Sequence, residues 1–129
     1  MDTVQKEKAF RIGARLRSFR YAFAGIATLA RTQHNAWIHA AATAAVIGAG
    51  FFFGVTVSEW CALILAMAAV WGAEALNTAF EFLADVASPG FHPVVKKAKD
   101  VAAGAVLITA VGAAVIGAII FIPYISRFF

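Results

Sequence analysis

Three long apolar stretches dominate the hydrophobic pattern of the chain. They lie within residues 32–58, 60–84 and 101–126, and Glu74 and Glu81 are the charged residues that interrupt the second. Each exceeds the roughly 20 residues needed to cross a hydrocarbon core of about 30 Å. Lipid offers no partners to backbone amides, so such stretches must be helical. The pattern predicts three transmembrane helices over about 34–56, 59–86 and 97–124.

The segment over about 6–30 has a different pattern, in which arginines alternate with large apolar residues: Phe10, Leu16, Phe19, Phe23 and Ile26. The spacing gives an imperfect apolar stripe, typical of an amphipathic helix on a membrane surface. The alternative is a solvated tail that orders only near the membrane. The segment has no compact apolar core, so we expect no cleaved signal peptide. The whole chain, 1–129, is expected to be one all-α integral membrane domain.

Composition agrees with a membrane protein, and the distribution of charge predicts how the chain is oriented in the membrane. The chain is 62% hydrophobic and 14% charged, with a mean hydropathy of +0.80. Seven basic residues precede the first span, three lie between the second and third, and Arg127 follows the third. This asymmetry predicts a cytoplasmic N-terminus. The net charge of +4 then reflects topology and anionic headgroups, so no nucleic-acid partner is expected.

Small residues are concentrated in the first and third spans, as in the alanine-rich run over 40–49. Small side chains let membrane helices approach closely. Three helices alone would hardly cover carboxylates within the membrane, so we expect the chain to form a homo-oligomer.

Polar residues on the second span lie on one helical face. Glu74, Asn77, Glu81 and Asp85 are spaced by three, four and four, which places them within an arc of roughly 80°. Carboxylates near hydrocarbon are costly, so the row indicates a functional site. The alternative is that they pair with Lys or Arg and only hold the bundle together.

Lys99 and Asp100 stand at the start of the third span, opposite the same end of the second. Lysine binds phosphate as a point charge, and carboxylates with an amide suit Mg²⁺. Phosphoryl transfer requires such a set. Among the histidines, we interpret His39 as a packed interfacial residue and His92 as a candidate nucleotide contact.

Three motifs together resemble the prokaryotic diacylglycerol kinase and undecaprenol kinase family. They are EALNTAFE at 74–81 followed by Asp85, AKDVAAGAVL at 98–107, and SFRYAFAGI at 18–26. The resemblance covers residues 15–121 and implies a homotrimer in the bacterial inner membrane. It also implies transfer of the γ-phosphate of MgATP to the hydroxyl of a membrane lipid, undecaprenol or diacylglycerol, at the cytoplasmic interface.

The resemblance also implies roles for individual residues. Glu74 would be the general base, Asn77 would orient it or the substrate, and Glu81 would bind Mg²⁺. Lys99 and Asp100 would meet the nucleotide phosphates, with Asp100 also supporting the catalytic site. Weaker nucleotide contacts are implied for a further set: Arg17, Tyr21 and His92.

Gln33 departs from the family pattern, in which a glutamate near the start of the first span helps to hold Mg²⁺. The amide keeps an oxygen ligand but loses the charge, which places the metal site in question more than the fold. The departure raises a second hypothesis, a phosphatase or other phosphoryl-handling enzyme acting on a lipid phosphate. A third is a non-catalytic assembly protein or a proton-coupled pathway that uses the acidic row.

Overall fold

The computed structural model describes residues 12–129, which form four α-helices. They are α1 (Ile12–Thr32), α2 (His34–Phe53), α3 (Val57–Ala87) and α4 (Pro93–Ile125). Within this part of the chain, α2, α3 and α4 are long and apolar enough to cross a membrane. The all-helical fold with three candidate spans is therefore confirmed.

Helix α1 contains most of the predicted surface segment. It covers 12–30 and continues to Thr32, whereas residues 6–11 lie outside the described part. Its position on a membrane surface stays a prediction, as do the single-domain division over 1–129 and the homotrimer.

Helix α4 begins four residues earlier than the predicted span. Pro93 occupies the first turn, where its missing N–H costs nothing. His92 caps the helix, because its Nδ1 accepts a hydrogen bond from the Val94 N–H at 3.2 Å. The charged residues before Val101 therefore belong to the same continuous helix as the apolar stretch.

The α2–α3 connection is closed by local hydrogen bonds. Gly54 ends α2 in the left-handed region, with φ of 63° and its N–H bonded to the Gly50 carbonyl. Glycine adopts this conformation without the Cβ penalty of other residues. Thr56 then starts α3 in a capping box with Glu59, which satisfies two backbone donors reciprocally.

Glu59 also ties α3 to the far end of α4. Its Oε2 accepts hydrogen bonds from the Thr56 N–H at 2.7 Å, the Thr56 hydroxyl at 3.0 Å and the Tyr124 hydroxyl at 2.8 Å. We call Gly54, Thr56, Glu59 and Tyr124 the turn clasp. A small core packs beside it, formed by Val55, Leu63 and Ile120.

Helices α3 and α4 make the most extensive contact in the bundle, and α2 packs on both. They run antiparallel, since Glu59 meets Tyr124 at one end and Asp85 meets Lys99 at the other. Many large apolar side chains point outward, Phe51 and Leu83 among them. Such surface suits contact with lipid or with copies of the chain. The buried Glu74 and Asn77 of α3 instead share a cavity with residues of α2 and α4.

Candidate active site

The polar row on α3 changes from buried to exposed along the helix. Glu74 is 1% exposed and Asn77 is buried, whereas Glu81 is half-buried and Asp85 exposed. Because α3 is one uninterrupted helix, the four side chains share the predicted face. The row therefore joins a buried carboxylate to a solvent-accessible end about 16 Å away, at about 1.5 Å per residue.

A cavity of about 300 Å³ opens beside Glu74. Its lining includes His39 and Asn35 from α2, Glu74 and Asn77 from α3, and Ala103 and Leu107 from α4. The volume is many times the roughly 30 Å³ that a water occupies in the liquid. We call His39, Glu74 and Asn77 the Glu74 cluster; it combines a carboxylate, an amide and an imidazole at one opening.

The hydrogen bonds of this cluster are incomplete. Within residues 12–129, the buried side-chain atoms that lack a hydrogen-bond partner are His39 Nε2, Glu74 Oε2, Asn77 Oδ1 and Thr78 Oγ1. A buried polar atom without a partner costs about 1–3 kcal/mol. Groups kept in this state are typical of a site that a ligand completes.

The imidazole of His39 approaches the carboxylate of Glu74. Its Nε2 lies 3.5 Å from Glu74 Oε2, longer than the 2.7–3.2 Å typical of a formed N–H···O bond. Trp71 packs against the imidazole in an edge arrangement, with ring centroids 6.1 Å apart. The Trp71 indole in turn donates to the Thr43 hydroxyl at 3.0 Å.

Sequence reasoning missed this approach of His39 to Glu74, because it interpreted His39 as a packed interfacial residue. A usable signal was present: His39 lies within a predicted span, and intramembrane ionisable residues are functional candidates by default. Its partner could not be predicted from the sequence, because the approach to Glu74 depends on the register of α2 against α3.

Asn77 connects the cluster to the next acidic residue. Its Nδ2 donates to Glu81 Oε1 over a long 3.4 Å, while its Oδ1 is unpaired. Asn77 and Glu81 thus present two hard oxygen donors on one face of α3, one of them free to accept a further ligand.

A second charged group lies where α3 ends and α4 begins. Lys99 Nζ lies 2.9 Å from Asp85 Oδ1, and Lys96 Nζ lies 2.6 Å from Asp100 Oδ2. These residues and His92 line a cavity of about 370 Å³. Lys99 and Asp100 are adjacent in sequence but bond to different partners, on α3 and within α4 respectively.

The alternative of purely structural pairing therefore fits one end of the row better than the other. Asp85 pairs with Lys99 in an exposed ion pair, the kind that contributes little to stability. Glu74 instead lies near a histidine without a completed bond. The buried end of the row has the chemical character of a site.

Three further candidates lie outside the Glu74 cavity. Arg17 and Tyr21 are exposed residues of α1, and neither lines that cavity. Gln33 stands between α1 and α2 as the N-cap of α2, and its side chain makes no capping bond among the described residues. Their proposed contacts with nucleotide and metal stay predictions.

The expected Mg²⁺ site has few protein ligands in the structure. Among residues 12–129, no group of three or more His, Cys, Asp or Glu side chains is gathered to hold a metal ion. Mg²⁺ at phosphoryl-transfer sites, however, is bound by one or two carboxylates with substrate phosphates and waters. The Glu81 carboxylate and the unpaired Asn77 Oδ1 fit that smaller requirement.

Known proteins are similar to this chain over most of its length. The sequence profile described as "Prokaryotic diacylglycerol kinase" matches residues 20–121. An undecaprenol kinase of Bacillus subtilis is 42% identical over 107 residues, which cover 83% of this chain and 87% of the relative. A diacylglycerol kinase of Synechocystis sp. is 38% identical over 107 residues, covering 82% of this chain and 61% of the relative.

No solved structure matches the chain significantly. The profile spans well over half of the chain, and both relatives exceed 30% identity. The chain therefore belongs to the prokaryotic diacylglycerol kinase family and is a lipid kinase, a phosphotransferase that acts on an alcohol group.

Proposed function

We propose that the chain transfers the γ-phosphate of ATP, with Mg²⁺, to the hydroxyl of undecaprenol or diacylglycerol at the cytoplasmic face of the bacterial inner membrane. The observation that carries this proposal is the carboxylate of Glu74, which is 1% exposed and lines a cavity. A general base must lie within hydrogen-bond reach of the proton it removes, and the cavity provides room for a hydroxyl there.

Glu74 acts as the base in this scheme. It accepts the proton of the lipid hydroxyl as the hydroxyl oxygen forms a bond to the γ-phosphorus. The bond from that phosphorus to the bridging oxygen of ATP breaks, and ADP leaves. Asn77 orients the reacting groups through its free Oδ1.

The nucleotide is held toward the exposed end of the row, and its γ-phosphate extends along α3 to the Glu74 cavity. Lys99 and Lys96 line one cavity with His92. Each binds phosphate in place of its present carboxylate partner. Asp100, released from Lys96, supports the site. Glu81 with Asn77, and Gln33 if the assembled enzyme brings it close, would hold Mg²⁺, which neutralises charge on the transferred group. Arg17 and Tyr21 are proposed contacts on the nucleotide side.

The membrane arrangement follows from charge and length. Helix α3 has 31 residues and is about 46 Å long at 1.5 Å per residue, so it extends beyond the hydrocarbon core of about 30 Å. The basic residues favour a cytoplasmic position for the α3–α4 connection. Glu74 then lies within the cytoplasmic half of the membrane, where a lipid hydroxyl and a soluble nucleotide can meet.

A homotrimer is part of the proposal. The outward apolar faces of single chains suit contact with further copies. Neighbouring copies would also cover the open side of the Glu74 cavity and bring α1 residues near the phosphates. Cross-linking of the purified protein in lipid, analysed by mass, tests this state. Cross-linked species up to a trimer and no larger support it, and species that stop at a dimer exclude it.

The activity is tested with a panel of acceptors. Purified protein in lipid is incubated with γ-labelled ATP, Mg²⁺ and either undecaprenol or diacylglycerol, with the Bacillus subtilis undecaprenol kinase as the positive control. We expect label in the lipid product, and undecaprenol is the first acceptor to test because that relative matches most of this chain. Label in neither lipid, while the control works, would exclude the proposal. Phosphate release from the phosphorylated lipids without nucleotide would favour the phosphatase alternative.

A further inference from the structure

We propose that His39 is a positioning residue that holds the Glu74 carboxylate in the orientation required of the base. In this arrangement His39 Nε2 donates to Glu74 Oε2, and the other carboxylate oxygen accepts the proton of the substrate hydroxyl. This inference rests on the proposed kinase function and assigns a residue that the three sequence motifs do not contain.

The first argument is the geometry of the pair. His39 Nε2 and Glu74 Oε2 are 3.5 Å apart, and both are buried without a hydrogen-bond partner. The pair is thus within a few tenths of an ångström of a bond, since formed bonds reach about 3.2 Å. Catalytic hydrogen bonds are often long before substrate binds and tighten in the complex.

The second argument is that the imidazole is held in place. Trp71 contacts the His39 ring edge-on and donates to Thr43. Trp71 lies three residues before Glu74 on α3, and Thr43 lies four residues after His39 on α2. These spacings put each pair on one side of its helix. Two contacts one turn apart, His39–Glu74 and Trp71–Thr43, therefore fix α2 against α3 beside the cavity.

The third argument is that the pair is poorly suited to a purely structural role. A buried ion pair stabilises a fold only if its geometry is good and its remaining polar atoms are bonded. Here neither atom of the contact has a completed bond. Both side chains, moreover, line the cavity. The arrangement serves a ligand in the cavity better than it serves the stability of the bundle.

The test compares two amides at position 39. In His39→Gln the amide nitrogen can take the place of Nε2 and donate to Glu74. In His39→Asn the shorter side chain carries a comparable amide that stops short of it. His34→Asn is the control, because His34 is an exposed histidine on the same helix. Each full-length variant is purified in lipid, and kcat and KM are measured for ATP and for the lipid.

We expect His39→Asn to lose about 10- to 100-fold in kcat, the scale of effect that misplacing a reacting group has. KM for ATP should stay within about twofold, since the residues proposed to hold the nucleotide lie toward the exposed end of the row. His39→Gln should recover most of the lost kcat, and His34→Asn should match the wild type. Equal losses in His39→Asn and His39→Gln, or wild-type kcat in His39→Asn, would overturn the inference.

Glu74→Gln in the same assay separates this inference from the proposed function. If wild type is active, Glu74→Gln inactive and both His39 variants fully active, only the His39 role is wrong. If the wild type phosphorylates no lipid while the control kinase works, the proposed function fails and the His39 role with it. Thermal unfolding of each variant checks that losses in kcat do not arise from misfolded protein.

Discussion

Two glutamates on α3, fifteen residues apart, have opposite hydrogen-bond environments. Glu59 in the turn clasp accepts three hydrogen bonds from Thr56 and Tyr124. Glu74, far more deeply buried, has Oε2 without a bond. A satisfied carboxylate contributes to the fold, whereas an unsatisfied buried one reduces stability and is kept for another reason. The difference supports a structural role for the clasp and the proposed functional role of the Glu74 cluster.

After Glu74→Gln, the largest expected effect comes from replacing Asn77 in the cluster. Asn77→Leu keeps the branched shape but removes a buried unpaired oxygen, so it should lower lipid kinase activity about 100-fold, the scale of losing one preorganised polar group. It should also leave stability equal or raise it by about 1 kcal/mol. Both quantities are measured on one preparation, by label transfer and by thermal unfolding in detergent.

Thr78→Val is the matched control for that variant. Its hydroxyl is also buried and unpaired, but it faces a groove that α1 residues Gly25 and Leu29 help to line. We expect a similar gain in stability with activity unchanged. A hundredfold loss in Thr78→Val as well would show that packing of α3, not the cluster, controls activity.

The next effect is on the clasp. Gly54→Ala forces a residue with a Cβ to adopt φ of 63°, at a cost of roughly 1–2 kcal/mol in the left-handed region. Gly48→Ala makes the same change within α2, where the added methyl group meets no atom of the chain within 4 Å, and should leave stability equal or higher. Urea or thermal unfolding that ranks the two variants the other way would contradict the assignment of the clasp.

Smaller changes are expected when the clasp loses a hydrogen bond. Tyr124→Phe and Glu59→Gln should each lower Tm by a few degrees, and the double variant should lose less than their sum because the two share one bond. Specific activity of the folded fraction should stay near wild type. A fully additive double variant would show that the Tyr124–Glu59 contact does not couple α3 to α4.

The smallest expected effect is on the Mg²⁺ requirement. Gln33→Glu restores the carboxylate that the family pattern has near the start of α2, and should lower the Mg²⁺ concentration for half-maximal activity by a few-fold, because charge strengthens binding of a hard cation. The measurement is a Mg²⁺ titration at saturating ATP and lipid. An unchanged titration would remove Gln33 from the metal site.

The sequence predicts those parts of this structure that depend on local pattern. The length of the apolar stretches predicted the three candidate spans, because in lipid a helix satisfies the hydrogen bonds of the backbone internally. Periodicity placed Glu74, Asn77, Glu81 and Asp85 on one face. Helix α4 begins four residues before the predicted span, because Pro93 and the capping His92 start the helix ahead of the apolar stretch.

Contacts between helices could not be predicted in this way. His39 approaches Glu74 and Lys99 pairs with Asp85 because of the register of α2 and α4 against α3. Register depends on packing of whole faces, and small residues such as those over 40–49 permit several close approaches. The polar row on α3 and the position of Lys99 near its exposed end were therefore foreseeable, whereas the individual pairings were not.

The most direct test of the central claim is label transfer by Glu74→Gln. Glutamine keeps the size of the buried side chain and removes its capacity to accept a proton. Rates are measured from γ-labelled ATP to the accepted lipid at equal protein in one bilayer, with ATP binding measured in parallel. We expect a loss of about 100-fold or more in transfer with ATP binding retained. Transfer at the wild-type rate would contradict the account.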